Sequence, residues 1–499
     1  MKNILKTLCV ILTSLILFTG CNKESSEKQI TSFKIAGLNI FGTITENPKT
    51  IVALVPYGTD VTSLVPIITI SEKATITPAS GIPTDFTNPV TYTVTAEDGS
   101  KATYIATITV NPNGGGGGID GDPVQWSGNI DSNTIWPDLG FSVDYIIDGP
   151  LTLTGNALLT IEPGVTIMFT GVSGGIEVGE NAGLRMVGTA EKPIILEGPA
   201  NNHNNGSWDR VLIHSNRNDN QFEYVQFLRG GNGTDKWHGV VNVRGKLSMK
   251  HCLIDGSQNS GLSTEYEGYL TAFEDNVISH CALYPWITEN YQTLCSNISY
   301  NNTFTSNQDN RVYAGFVGFE LENDMTLAAL PIPYYFHENI DFHGNRTITL
   351  SEGVIFEMGV GTQIGVSDEC GFIAKGTAEM PIIIRSESSD AAWKGIVFSS
   401  TRSRNTMEHC QIMGCGISDL WDEMCCLYIR SDAKLILKDN CFGPSNYYGV
   451  GIESIENWAN VEHSGNTFTG CAKGNVIVDG GGTYNGNTYL DQEILNDLP

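Results

Sequence analysis

Basic side chains are scarce in this sequence: 28 Lys and Arg face 55 Asp and Glu, leaving a formal charge of −27 over 499 residues. A surface this acidic repels phosphate, which argues against nucleic acid as a partner. Anionic polysaccharide is disfavoured for the same reason unless calcium bridges it. Neutral glycans and protein surfaces remain open. No Cys-x-x-Cys pair occurs among the 12 cysteines, so zinc-type spacing is missing. After the first 20 residues no long apolar run follows, and nothing further is expected to span a membrane. No helical period appears over residues 29–112. Serine-nucleophile motifs are missing too, and the glycine runs precede no helix that would cradle phosphate. Calcium is compatible with the acidity, but no repeated Asp-Gly calcium motif occurs. No metal ligands are assigned, and no cofactor is expected.

What is present begins at the N-terminus. Lys2 and Lys6 precede an apolar run from Leu8 to Phe18, which closes on Thr19, Gly20 and Cys21. Positive charge, a short apolar core and small residues before a cut describe a signal peptide. The stretch ending at Cys21 resembles a lipobox, with Phe18 where Leu is usual. This implies cleavage after residue 20 and lipid on Cys21. Removing Lys2 and Lys6 leaves 26 basic against 55 acidic residues, or −29. Residues 21–28 are polar and Ser-rich, a flexible tether. Asn22 resembles lipoproteins sent to the outer membrane, and Lys23-Glu24 weakly resembles surface-export tags. The membrane, through this lipid anchor, is therefore one expected partner.

Residues 29–112 alternate apolar and polar at period two, as in Tyr104-Ile105-Ala106-Thr107-Ile108, with turns such as Asp98-Gly99 between the runs. Short alternating strands at regular spacing predict a β-sandwich, immunoglobulin-like in broad type. The stretches 55–64 and 88–100 resemble a domain of unknown function that follows the lipid anchor in Gram-negative surface lipoproteins. That resemblance implies a spacer. Residues 113–123 include five consecutive glycines, which hold no single conformation and read as a linker.

The rest of the chain repeats itself. Gly155 opens GNALLTI and Gly344 opens GNRTITL; GTAEKPIIL starts at Gly188 and GTAEMPIII at Gly376; Trp208 answers Trp393. Lys246 through Cys252 answers Lys434 through Cys441, and Cys281 answers Cys471. Landmarks in one order at nearly one offset predict a tandem duplication, 124–320 and 321–490, with an acidic tail at 491–499. Within each copy, cysteines and the words DNVI, NNTF, DNCF, GNTF and GNTY recur at a coil of roughly 20–30 residues, the range of solenoid repeats. Stacked coils need small or apolar residues at one inward position and turn-forming Asn that bonds the next coil. The words LTIEPGVTIMF (159–169), GTAEKPIIL (188–196) and EYVQF (223–227) resemble the pectin-lyase-like right-handed parallel β-helix superfamily. The fold class is therefore expected to be all-β, a sandwich followed by a duplicated right-handed parallel β-helix. Cys252–Cys281 or Cys441–Cys471 bridges stay open beside reduced, buried thiols.

Both copies place Asp-x-Trp in a polar loop: Asp235, Trp237 and His238 in the first, and Asp419, Trp421 and Asp422 in the second. Trp stacks on sugar C–H groups and carboxylates accept from hydroxyls, so these six are candidate glycan-binding residues. Trp208 and Trp393 read as core. Acid–base catalysis needs converging groups; Asp235, His238, Asp255 and Glu265, or Asp419, Asp422 and Glu423, are the available sets. The paired Asp and Gly-His-Gly of pectin-cleaving hydrolases are absent, and no Lys or Arg base stands beside calcium-binding acids. The expectation is a cell-surface lipoprotein that binds polysaccharide or a surface protein without catalysis. A carbohydrate-active enzyme on a neutral or weakly charged polysaccharide, and a purely structural adhesion role, are the alternatives.

Overall fold

A computed structural model describes residues 25–36, 40–55, 59–110, 123–199, 204–289, 291–295, 298–315, 319–320, 323–367, 369–418 and 420–499. The signal peptide, Cys21 and nearly all of the glycine linker lie outside the described residues. No α-helix occurs among the described residues. They form two compact units, one up to residue 110 and one from 123 onward.

The first unit holds two sheets around one core. Ile40–Phe41, Ile30–Ile35 and Pro66–Ile70 form an antiparallel sheet. Thr43–Glu46, Lys49–Val55, Lys101–Val110, Val90–Thr95 and Thr75–Thr77 form the other. Period-two burial is clearest in Lys101–Val110, which buries Ala102, Tyr104, Ala106 and Ile108. Those side chains join Phe33, Ile35 and Tyr92 in the shared core. Lys49–Val55 and Lys101–Val110 run parallel, unlike the other pairs of this unit. A parallel pair needs a crossover, which residues 56–100 supply.

The second unit is a right-handed parallel β-solenoid of about thirteen turns. Short strands stack coil on coil in parallel ladders and bury one core that runs from Ile130 to Val478. One side of the stack is a six-stranded ladder from Thr134–Trp136 to Tyr269–Glu274. A second six-stranded ladder, from Met325–Leu327 to Val461–Ser464, has the same make-up. The two are not in line. Thr166–Phe169 follows its ladder strand as Ile355–Met358 follows its own, and these belong to corresponding sequence words. Yet Ile355–Met358 stacks through Tyr334–Phe336 on Val312–Ala314, which extends the next side round, that of Val211–Ile213 and Gly239–Val243. Corresponding segments are therefore displaced by one side of the coil.

Asparagine fixes one corner. The Asn276 carbonyl oxygen accepts from the Cys252 amide at 3.0 Å. Its amide group donates to Met249 O and Asn302 Oδ1, both at 3.0 Å. Asn440 repeats the pattern between Cys410 and Asn466. The asparagines themselves are not left-handed. The residue before each is: Asp275 at φ 54° and Asp439 at φ 53°, as are His251 and His409 before Cys252 and Cys410. The turn is thus made one position earlier, leaving the amide free to point along the stack.

The cysteines do not pair as the spacing suggested. Leu253 faces Val277 and Ser257 faces Cys281, so Cys252 and Cys281 sit at opposite ends of neighbouring strands. Cys441 faces Gln411 and Thr467, whereas Cys471 faces Ser445. Each of these four is a free thiol. Trp208 and Trp393 are fully buried, and their indole N–H groups donate to Leu228 O at 2.8 Å and Met413 O at 2.9 Å. At the far end Glu493–Leu495 runs antiparallel to Gly474–Gly480, and the Pro499 carbonyl accepts from Trp458 at 3.0 Å.

Replacing Asn276 by Ala takes this side-chain partner from two buried backbone groups, the Cys252 amide and the Met249 carbonyl. It should lower stability by about 1–3 kcal/mol, measured by urea denaturation. Burial raises Cys252 and Cys410 from 9.0 to about 12. An acid whose folded value exceeds its unfolded one keeps its proton in the fold after the unfolded chain has lost it. Stability should therefore fall as pH climbs from about 9, and a C252A/C410A variant should lose less over that window.

Candidate functional site

Successive strands alternate inward and outward side chains. On the side built from Gly239–Val243, Val241 and Val243 point into the core, and Asn242 points out. The register then stacks Asn242, Ser263, Ile287, Tyr313, Tyr335, Glu357 and Arg385 as one outer column. Its middle is aromatic. Tyr313 lies 5.1 Å from Tyr284, 5.9 Å from Tyr335 and 6.2 Å from Trp237, centroid to centroid. With Ile287 these residues form a separate outer apolar cluster.

Charge frames the rings. Lys236 Nζ sits 4.1 Å above the Tyr313 ring and donates to its hydroxyl at 2.8 Å. Arg311 stacks on Tyr335 at 3.8 Å and grips Asp309 with two bonds, at 2.6 and 2.5 Å. It also donates to Glu357 at 3.3 Å, which Arg385 approaches at 2.6 Å. Tyr335 and His337 are hydrogen-bonded at 3.2 Å. Burial, then the charge on Asp309, pushes the Tyr284 hydroxyl up to about 12. Its hydroxyl therefore stays neutral, able to donate and to accept at ordinary pH. Tyr313 and Tyr335 are themselves buried, with Lys236 and Arg311 over their faces, so the half-buried Trp237 and Tyr284 and the charged groups beside them are what a sugar ring could meet.

The residues singled out in the sequence reach this surface only in part. Trp237 belongs to it: it is half-buried, edge-on to Tyr313 and close against Gly315. Asp235 instead caps its own loop, accepting from the Trp237 amide at 3.2 Å. His238 turns away and pairs with Asp209, with Arg210 3.3 Å from its other ring nitrogen. Asp255 lies on another side of the coil with Ser279 and His280. Glu265 is nearly buried, held by Asn242 at 2.6 Å and Arg244 at 2.9 Å. The first set of acids is thus divided among separate networks. In the second loop Asp419 lies outside the described residues, as does the Trp421 side chain. Asp422 is 3.8 Å from Arg430. Glu423 is held below the usual carboxylate range by hydrogen bonds from Lys394, at 2.8 Å, and Ser418, at 2.6 Å. Among the described residues, one trio has metal-ligand proximity: Glu408, His409 and Asp439. Lys438 lies 2.7 Å from Glu408 and 3.9 Å from Asp439, an ammonium already placed where a cation would sit.

Sequence reasoning missed Tyr284, Arg311, Tyr313 and Tyr335. The strands of Tyr313 and Tyr335, Val312–Ala314 and Tyr334–Phe336, are three residues long, too short to show alternation. Only the stacking register selects the middle residue of each as the outward one.

Comparison with known proteins agrees with this architecture. Residues 128–241 match the family described as a pectate-lyase-like beta helix domain. Residues 30–108 match the family described as SGBP, N-terminal. No curated protein matches the chain. Among solved structures, a Bacteroides thetaiotaomicron protein provisionally assigned as a glycoside hydrolase is 35% identical over 18% of this chain and 27% of its own, with a TM-score of 0.17. A secreted protein of provisional assignment from Bacteroides fragilis is 20% identical over 17% of this chain and 96% of its own, with a TM-score of 0.14. The chain thus spans about a quarter of the first of these. What the matched families define is a β-rich N-terminal domain followed by a pectate-lyase-like β-helix.

Arg311→Lys keeps the charge but cannot form the two-pronged bond to Asp309. Loss of that bond should cost about 1–3 kcal/mol, read as a lower urea midpoint with an unchanged circular dichroism spectrum.

Proposed function

We propose that this protein is a lipid-anchored surface glycan-binding protein that holds polysaccharide on its β-helix without cleaving it. The match of residues 30–108 to the SGBP N-terminal family carries the reading, since that family name denotes surface glycan-binding proteins. The half-buried Trp237 and Tyr284 beside Tyr313, with the fixed donors and acceptors around them, support it on one side of the solenoid. Cys21 supplies the anchor, and in chain order the first unit and the glycine linker lie between it and the β-helix. Two β-helix copies, 124–320 and 321–490, make up the binding rod. The division of Asp235, His238, Asp255 and Glu265 among separate networks favours binding over acid–base chemistry at those residues.

The test uses the chain from residue 22 onward on a glycan array, with assays for reducing ends and unsaturated products. Binding without turnover is expected. K236A and W237A should weaken it about tenfold or more, equivalent to about 1.4 kcal/mol. Turnover would replace this reading with that of a carbohydrate-active enzyme, and binding only to a protein would make it an adhesin.

A further inference from the structure

We infer that Cys415 and Cys426 are a disulfide site that can lock the base of the loop bearing Trp421 and Asp422. Both thiols are fully buried in the solenoid core and within hydrogen-bonding reach of each other. The neighbouring Cys425 belongs to the outer cluster with Tyr428 instead. The ladders fix the separation of the pair. Cys415 stacks on Trp393 of the preceding coil. Leu427 stacks on Ile396, which places Cys426 over Gly395. Two positions along one strand span about 6.6 Å at most, inside the Cα range of disulfides. The turn at Gly395, with φ 103°, shortens it further.

An independent measure comes from the corresponding place in the first half. Asn232 N donates to Trp208 O as Gly416 N donates to Trp393 O, so Gly231 answers Cys415. Val241 pairs with Val211 as Leu427 pairs with Ile396, so Val240 answers Cys426. A Cβ built on Gly231 lies 3.3 Å from Val240 Cγ2. The backbone thus brings the two positions within side-chain reach at both places, and only the second carries thiols. Between the cysteines Ile417 N donates to Glu423 O at 3.0 Å, which already draws the loop ends together.

Oxidation by a small disulfide such as glutathione disulfide balances simply. One protein thiolate attacks the glutathione disulfide and expels one glutathione thiolate. The second protein thiolate attacks the resulting mixed disulfide at its protein sulfur and expels the other. The two protein protons end on the two released glutathiones. Because both thiols are buried, exchange requires the loop to open or occurs while the chain folds.

The experiment refolds the chain from residue 22 onward in mixed reduced and oxidised glutathione, then alkylates it in denaturant without reductant and maps the peptides. Expected is a cross-link of Cys415 to Cys426 that survives C425S and is lost in C426V. Proteolysis within 416–424 should be severalfold slower in the oxidised chain. C415G/C426V reproduces the first-half residues and serves as the folding control. Alkylation of both thiols in refolded protein, or a link from Cys415 to Cys425 or Cys471, would overturn the inference.

Discussion

Every feature of the β-helix depends on the parallel backbone ladder that joins each coil to the next. Each strand contributes only a few bonds, so no coil can bury its apolar face alone. The register they impose is nevertheless continuous from Val124 to Gly480. It decides which side chain points inward, places Asn276 on Asn302 and brings Tyr313 over Tyr335. A column of outward side chains is then a property of the stack, assembled from residues more than twenty positions apart in sequence.

Asparagine and the left-handed residue before it divide one task. Asp275 or Asp439 reverses the chain at a corner, and the following amide bridges to the coils on either side. The amides are buried, so each bond is made where a missing partner is costly. Cysteine performs the complementary task at Cys252 and Cys410, filling narrow interior space as a small apolar group.

Period-two alternation and the recurring coil were legible in the sequence because they are local or regular. Lys101–Val110 shows its burial pattern directly, and words such as DNVI mark coil corners by their turn chemistry. Disulfide pairing was not legible, since spacing near thirty residues reports one coil and says nothing of position within it. Cys252 and Cys281 are a coil apart in count and a strand apart in place. The outer aromatic column escaped for a related reason. Trp237 was found because Trp in a polar loop stands out, whereas Tyr313 and Tyr335 sit among other apolar residues in very short strands. Asp235 and His238 were chosen for their chemistry, and the structure shows both committed to local bonds.

The displacement of corresponding segments by one side of the coil has a bearing on what the two loops can reach. The loop at 231–238 and the loop at 416–424 occupy corresponding places in sequence but open from different edges of the prism. A straight polymer lying along the stack can follow one edge and so meets one of these loops, not both. The two loops therefore do not lie on a single track. Each opens on its own bearing, with Cys415 and Cys426 at the second where Gly231 and Val240 stand at the first.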